Sequence, residues 1–242
     1  MRRAERQKAK LGQAERRAAT PVAGAIAGIL FAVLFSLSVT IIQASMQDLP
    51  KDTGSWLDTD AGRFKFAISL VPFAGLFFLW FIAVARERLG QFEDQFFSTV
   101  FLGSGLLFLA MIFAAAASAG AIAATYAADP SGFSASTTIV YARHIVTQIF
   151  NVYALRMAAV FLISQATLWW RTGVMPRWMA LATYAVALVL LFVLTQATQV
   201  VLVFPAWVFL VSAYILIGHL TRSGEARLDV DDGRMEQPTA RP

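Results

Sequence analysis

Arg143, His144, Thr147, Gln148, Asn151 and Arg156 lie within one apolar run, Tyr141 to Arg171 (YARHIVTQIFNVYALRMAAVFLISQATLWWR), and are the side chains of this sequence best equipped for chemistry. A guanidinium can hold an anion or a carbonyl oxygen, the amides can satisfy a neutral polar group, and an imidazole can carry a proton or bind a metal. A charge near the bilayer centre costs about 3 kcal/mol or more, so Arg156 must reach an interface, a wet cavity or a partner. At about 1.5 Å per residue it stands about 21 Å from Trp170 and about 22 Å from Tyr141, too deep to snorkel easily to either side. The sequence therefore predicts a guanidinium bonded inside the bundle, to backbone freed near Pro72 or to Asn151 and Gln148, or else set in an outward-facing wet cleft. On an α-helical wheel His144, Thr147, Gln148 and Asn151 share a sector of about 100°, with Arg156 about 80° beyond its Gln148 edge. These five residues are the candidate polar interior.

Other chemistries lack their residues. Cysteine is absent, which removes disulfides, thiolate catalysis and thiolate metal or iron–sulfur sites. His144 and His219 are the only histidines, and counting spans places them on opposite membrane faces, so no site uses both. No G-x-S-x-G, H-E-x-x-H, P-loop or dinucleotide-binding glycine pattern occurs. No apolar run carries an Asp or Glu that could serve as a base beside Arg156 or relay protons during transport. The expectation is a chain that is not an enzyme and binds no cofactor or metal.

The elements that must position the polar sector are membrane helices. With 58% hydrophobic and 14% charged residues over 242 positions, the chain is too apolar for a soluble domain, since soluble domains carry about a quarter of their residues charged. Its mean hydropathy is +0.62. The net charge of +5 gathers beside apolar runs, which points to membrane topology and not to nucleic acid. The fold class expected is all-α, a polytopic transmembrane bundle of six spans, at about 21–42, 64–85, 96–125, 141–170, 178–194 and 200–220. A cleaved signal peptide is disfavoured, because the first run is longer than a signal h-region and ends without an A-x-A site.

Residues 1–20 hold seven Lys or Arg and form a basic tail that can touch anionic headgroups, while residues 221–242 read as a polar, disordered tail. Asp48, Asp52, Asp58 and Asp60 populate an acidic loop without calcium-loop spacing. Glu93 and Asp94 stand where they would cap the third span. Lys and Arg near the spans favour one side, which places both termini in the cytoplasm of a cell-membrane protein. Two small-residue patterns predict close packing. Gly24 and Gly28 form G-x-x-x-G, and Ala116, Gly120 and Ala124 form a smooth stripe expected to seat span four, so that Gly120→Leu would overpack it.

The stretch ERLGQFEDQFFSTVFLGSGLLFLAMIFAAAA and the Pro-Arg-Trp start of the fifth span resemble bacterial multi-pass membrane proteins of no assigned function. The resemblance covers the second to fifth spans and implies no site residues. The first functional reading is a structural or accessory membrane component, with lipid as its solvent and a protein partner or a second copy as its neighbour. The alternative is a channel or carrier for a small anionic or neutral solute using the polar sector. Transport requires a continuous wet path past Asn151 and Arg156.

Overall fold

Backbone amides inside lipid must be hydrogen-bonded within their own segment, and the apolar stretches are accordingly helical among the described residues. The structure is a computed structural model that describes residues 2–47, 56–89, 95–129, 138–192 and 198–235, with side chains placed over 22–45, 61–86, 96–129, 139–192 and 200–221. The helices are α1 (Arg2–Gln47), α2 (Trp56–Leu89), α3 (Gln95–Ala128), α4 (Thr138–Gln148), α5 (Leu155–Thr172), α6 (Arg177–Phe192) and α7 (Val203–Met235). A π turn, Ile149–Ala154, joins α4 to α5 without a break, and a 3₁₀ turn, Thr198–Leu202, leads into α7. Asp48, Asp52, Glu93 and Asp94 lie outside the described residues, as do the side chains of the basic tail.

Five helical segments are long and apolar enough to cross a membrane: Val22–Ser45, Ala61–Arg86, Phe96–Ala128, Ile139–Thr172 and Val200–Thr221. The expected fifth span is shorter than the others. α6 has 16 residues, about 24 Å of helix against a hydrocarbon core of about 30 Å. Pro205 sits in the first turn of α7, where its missing N–H costs no helical bond. α7 also continues to Met235, through a stretch expected to be disordered.

Side-chain pairs fix the helix directions. Gly24 faces Val84 while Phe31 meets Phe78, so α1 and α2 are antiparallel; Gly28 faces Ser212 while Phe31 meets Phe204, so α1 and α7 are antiparallel too. Phe101 stacks on Phe161 at 4.5 Å and Arg171 lies 4.7 Å from the Phe97 ring, which runs α5 against α3. The amino end of the α1 span and the carboxyl end of the α7 span thus share one end of the bundle, here termed the terminal end. Hydroxyls tie neighbours together: Ser38 Oγ donates to the Ala67 carbonyl at 2.7 Å, and Thr167 and Tyr184 share a 2.6 Å hydrogen bond between α5 and α6.

The middle is a plug of phenylalanines. Phe31 and Phe35 of α1, Phe78 of α2, Phe101 and Phe108 of α3, Phe161 of α5 and Phe204 of α7 are all buried. Phe78 lies at their centre, with centroids at 4.6 Å from Phe31, 5.3 Å from Phe108, 5.4 Å from Phe161 and 5.8 Å from Phe204. Edge-to-face and offset contacts of this kind add to the area each ring removes from its surroundings.

The expected seat for span four must be corrected. Ala116 is buried and Gly120 half-buried, but both face α2, lining an apolar groove of about 320 Å³ with Ile68, Val71, Pro72, Phe113 and Ala117. Ala124 is exposed. The helical period explains the swap. Leu109 and Phe113 abut Gly75 of α2, and Ala116 and Gly120 continue that face, whereas the face of Phe101 and Gly105 meets Phe161 of α5.

Candidate functional site

The fourth span is built on a buried seam, Val146, Phe150, Ala154 and Ala158, whose members follow one another at steps of four. In a helix of 3.6 residues per turn, three such steps drift by about 120°, which would carry Ala158 off the seam. The π turn at Ile149–Ala154 removes the drift by adding a residue to one turn. The bulge therefore answers to packing: it keeps four small or flat side chains pointed at the bundle.

The same insertion moves the polar residues. It sets everything after it back by about 100°, so Arg156, about 80° beyond Gln148 on an unbroken α-helix, falls within the sector of His144, Thr147, Gln148 and Asn151. The five candidates form one stripe, where the unbroken wheel had left Arg156 apart. That stripe lies on the side of the span away from the seam. His144 and Gln148 are exposed, and Thr147, Asn151 and Arg156 are half-buried.

The hydrogen bonding of the stripe is sparse. Arg156 Nη1 donates to the Val152 carbonyl of its own span at 3.2 Å, its single hydrogen bond among the described residues. Its bond is neither to backbone near Pro72 nor to Asn151 or Gln148. A guanidinium carries five N–H donors, so most of its capacity is unused. Asn151 Oδ1 is buried with no hydrogen-bond partner. Neither the α2–α3 groove nor a cavity at the terminal end is lined by Asn151 or Arg156. No group of three or more His, Cys, Asp or Glu able to hold a metal occurs among the described residues.

No protein-family model, curated protein or solved structure matches this chain. The geometry has to carry the reading. A half-exposed cation about halfway through the membrane, flanked by amides on one outward stripe, is suited to holding a carboxylate or carbonyl presented by a neighbour.

Gly24 and Gly28 also have a place. A methyl group at Gly24 would press on Val84 of α2, and one at Gly28 on Phe81 of α2 and Ser212 of α7, so the pair lets three helices meet within one chain. Sequence reasoning passed over Gln165, an amide 4% exposed inside the same span. Its signal was there: it sits on the helix face opposite the polar stripe, where an amide has no reason to be unless something meets it.

Proposed function

We propose that this chain is a structural or accessory membrane component, a six-pass bundle that docks onto another membrane protein through the outward stripe of its fourth span. The observation that carries the reading is Arg156, half-exposed on that stripe with one hydrogen bond to its own helix. Lipid cannot take up its remaining donors, and no apolar span of this chain supplies a carboxylate. A second copy would bring another arginine and no acid. The fitting partner is a different protein whose membrane helix carries an Asp or Glu at matching depth.

A channel or carrier is the weaker reading, because rings from five helices fill the middle of the bundle where a path would run. In the six-pass arrangement α6 crosses despite its length, both termini are cytoplasmic, and the basic amino-terminal segment lies against anionic headgroups. The antiparallel α1 and α7 and the Lys and Arg distribution support this. Reporter fusions at Arg241 should be active only on the cytoplasmic side.

The test uses a photoreactive residue at Gln148 in native membranes. The expected adduct is a membrane protein with a mid-depth acid, and neutralising that acid should abolish the adduct as Arg156→Leu does. Arg156→Leu itself should leave the purified chain at least as stable as wild type, since only one intrahelical hydrogen bond is lost. Adducts to lipid alone or to a second copy would overturn the docking reading. Anion or neutral-solute flux from proteoliposomes, lost on Arg156→Leu, would replace it with the carrier.

A further inference from the structure

At the terminal end, on the far side of the bundle from the Arg156 stripe, a cavity opens between α1, α2, α5 and α7. Phe81, Val84, Trp169, Met175, Val211 and Ile215 furnish its apolar walls. About 520 Å³ of empty space lies within it and at its mouth, of which about 50 Å³ admits the centre of a water-sized molecule. The smaller figure is the volume of the cavity proper, room for a polar headgroup and not for a whole lipid, and the rest belongs to its open mouth. Gly24 lines it as well, and a methyl group there would press on Val84, another of its walls.

One polar side chain faces this space. Gln165 is 4% exposed, lines the cavity, and has no hydrogen-bond partner among the described residues. Its amide is not sealed in like the Asn151 Oδ1 and Ser212 Oγ atoms but reaches the cavity, where it offers two N–H donors and a carbonyl acceptor to whatever enters. Gln165 stands one helical turn, about 6 Å, deeper than Trp169, and Trp170 and Arg171 follow at the interface. The amide is therefore placed just below the level at which bilayer lipids carry their glycerol oxygens.

We propose that this cavity takes the polar head of a neutral, membrane-soluble amphiphile, whose hydroxyl or ester oxygen bonds the Gln165 amide while its apolar chain extends from the mouth. Neutrality follows from the lining: none of its residues is charged, so a carboxylate or phosphate would be buried there without a counterion. The class includes mono- and diacylglycerols and fatty alcohols. Occupancy joins α1, α2, α5 and α7 at the end where both chain ends emerge, and it stabilises the folded bundle by mass action.

The full-length chain in detergent provides the test. Mono-oleoylglycerol should raise the melting temperature of wild type in a saturable way, whereas oleate and dodecane, which offer a charge or no oxygen, should not. Gln165→Leu keeps the side-chain size and removes the amide. It should weaken the apparent affinity for mono-oleoylglycerol about tenfold or more, the factor that corresponds to one lost hydrogen bond. A diazirine-bearing monoacylglycerol should label the stretch from Gln165 to Met175 of the wild type, with unlabelled mono-oleoylglycerol competing, and this readout does not depend on the variant folding. Equal shifts in wild type and Gln165→Leu, an equal response to dodecane, or no shift in wild type, as expected of a cavity holding only water, would each overturn the proposal.

Discussion

Phe78→Ala is expected to cost about 3 to 5 kcal/mol of stability, the range for truncating a large buried aromatic whose surroundings cannot collapse into the gap. The ring is fully buried and touches rings from α1, α3, α5 and α7, so the cavity left behind would be walled by four other helices. None of these neighbours can move inward without giving up its own contacts. Phe31 is held by Phe35 at 5.3 Å, and Phe161 is stacked on Phe101. Phe73, on the same helix but 59% exposed, is the control: its ring faces the surroundings of the bundle, and Phe73→Ala should stay within about 0.5 kcal/mol of wild type. Equilibrium unfolding in mixed micelles distinguishes the two. Similar losses for both would mean that the plug is not the keystone of the bundle.

What could be read from the sequence follows from the range of the interactions involved. Spans α1, α2, α3 and the fourth were legible because length and apolarity are local properties, and their boundaries moved by only a few residues. Burial of Gly24 and Gly28 was legible too, since a small-residue pair has a meaning within a single helix. Which helices they admit was not, because that depends on Val84, Phe81 and Ser212 arriving from distant parts of the chain. The phenylalanine plug escaped notice for the same reason: its members are spread over five helices and each looks like an ordinary apolar residue at home.

The polar stripe shows a subtler limit. The unbroken helical wheel separated Arg156 from Gln148, and the sequence around Ile149–Ala154 contains no proline or glycine that announces a change of pitch. What demands the π turn is the set of apolar residues at steps of four, and that pattern is visible only once one knows that they share a seam. The stripe of Ala116 and Gly120 was assigned to the wrong neighbour because small residues mark a smooth face without naming its occupant. Here the occupant is α2, set back by a groove.

That difference makes the last prediction sharp. Gly28→Leu should be among the most damaging single substitutions in the chain, and Gly120→Leu should be tolerated. At Gly28 the first added carbon would already lie 2.9 Å from Phe81 Cδ2 and 3.1 Å from Ser212 Cβ, with Ser212 Oγ closer still. Ser212 is fully buried, and its Oγ has no hydrogen-bond partner among the described residues. It occupies the place over the Gly28 Cα–H where helix–helix interfaces use weak C–H···O contacts. Relief would require α1 and α7 to part at the level where both also meet α2. The loss should reach or exceed the about 1 to 3 kcal/mol typical of overpacking. At Gly120 the nearest atom to an added carbon is Ile68 Cγ2 at 4.0 Å, so the leucine side chain has the groove to enter. A rescue separates steric cause from any general intolerance: Gly28→Ala should be destabilising alone and recover most of the loss when combined with Ser212→Gly, a coupling that a double-mutant cycle measures directly. If the two changes simply add, the close approach of α1 and α7 is not what Gly28 provides.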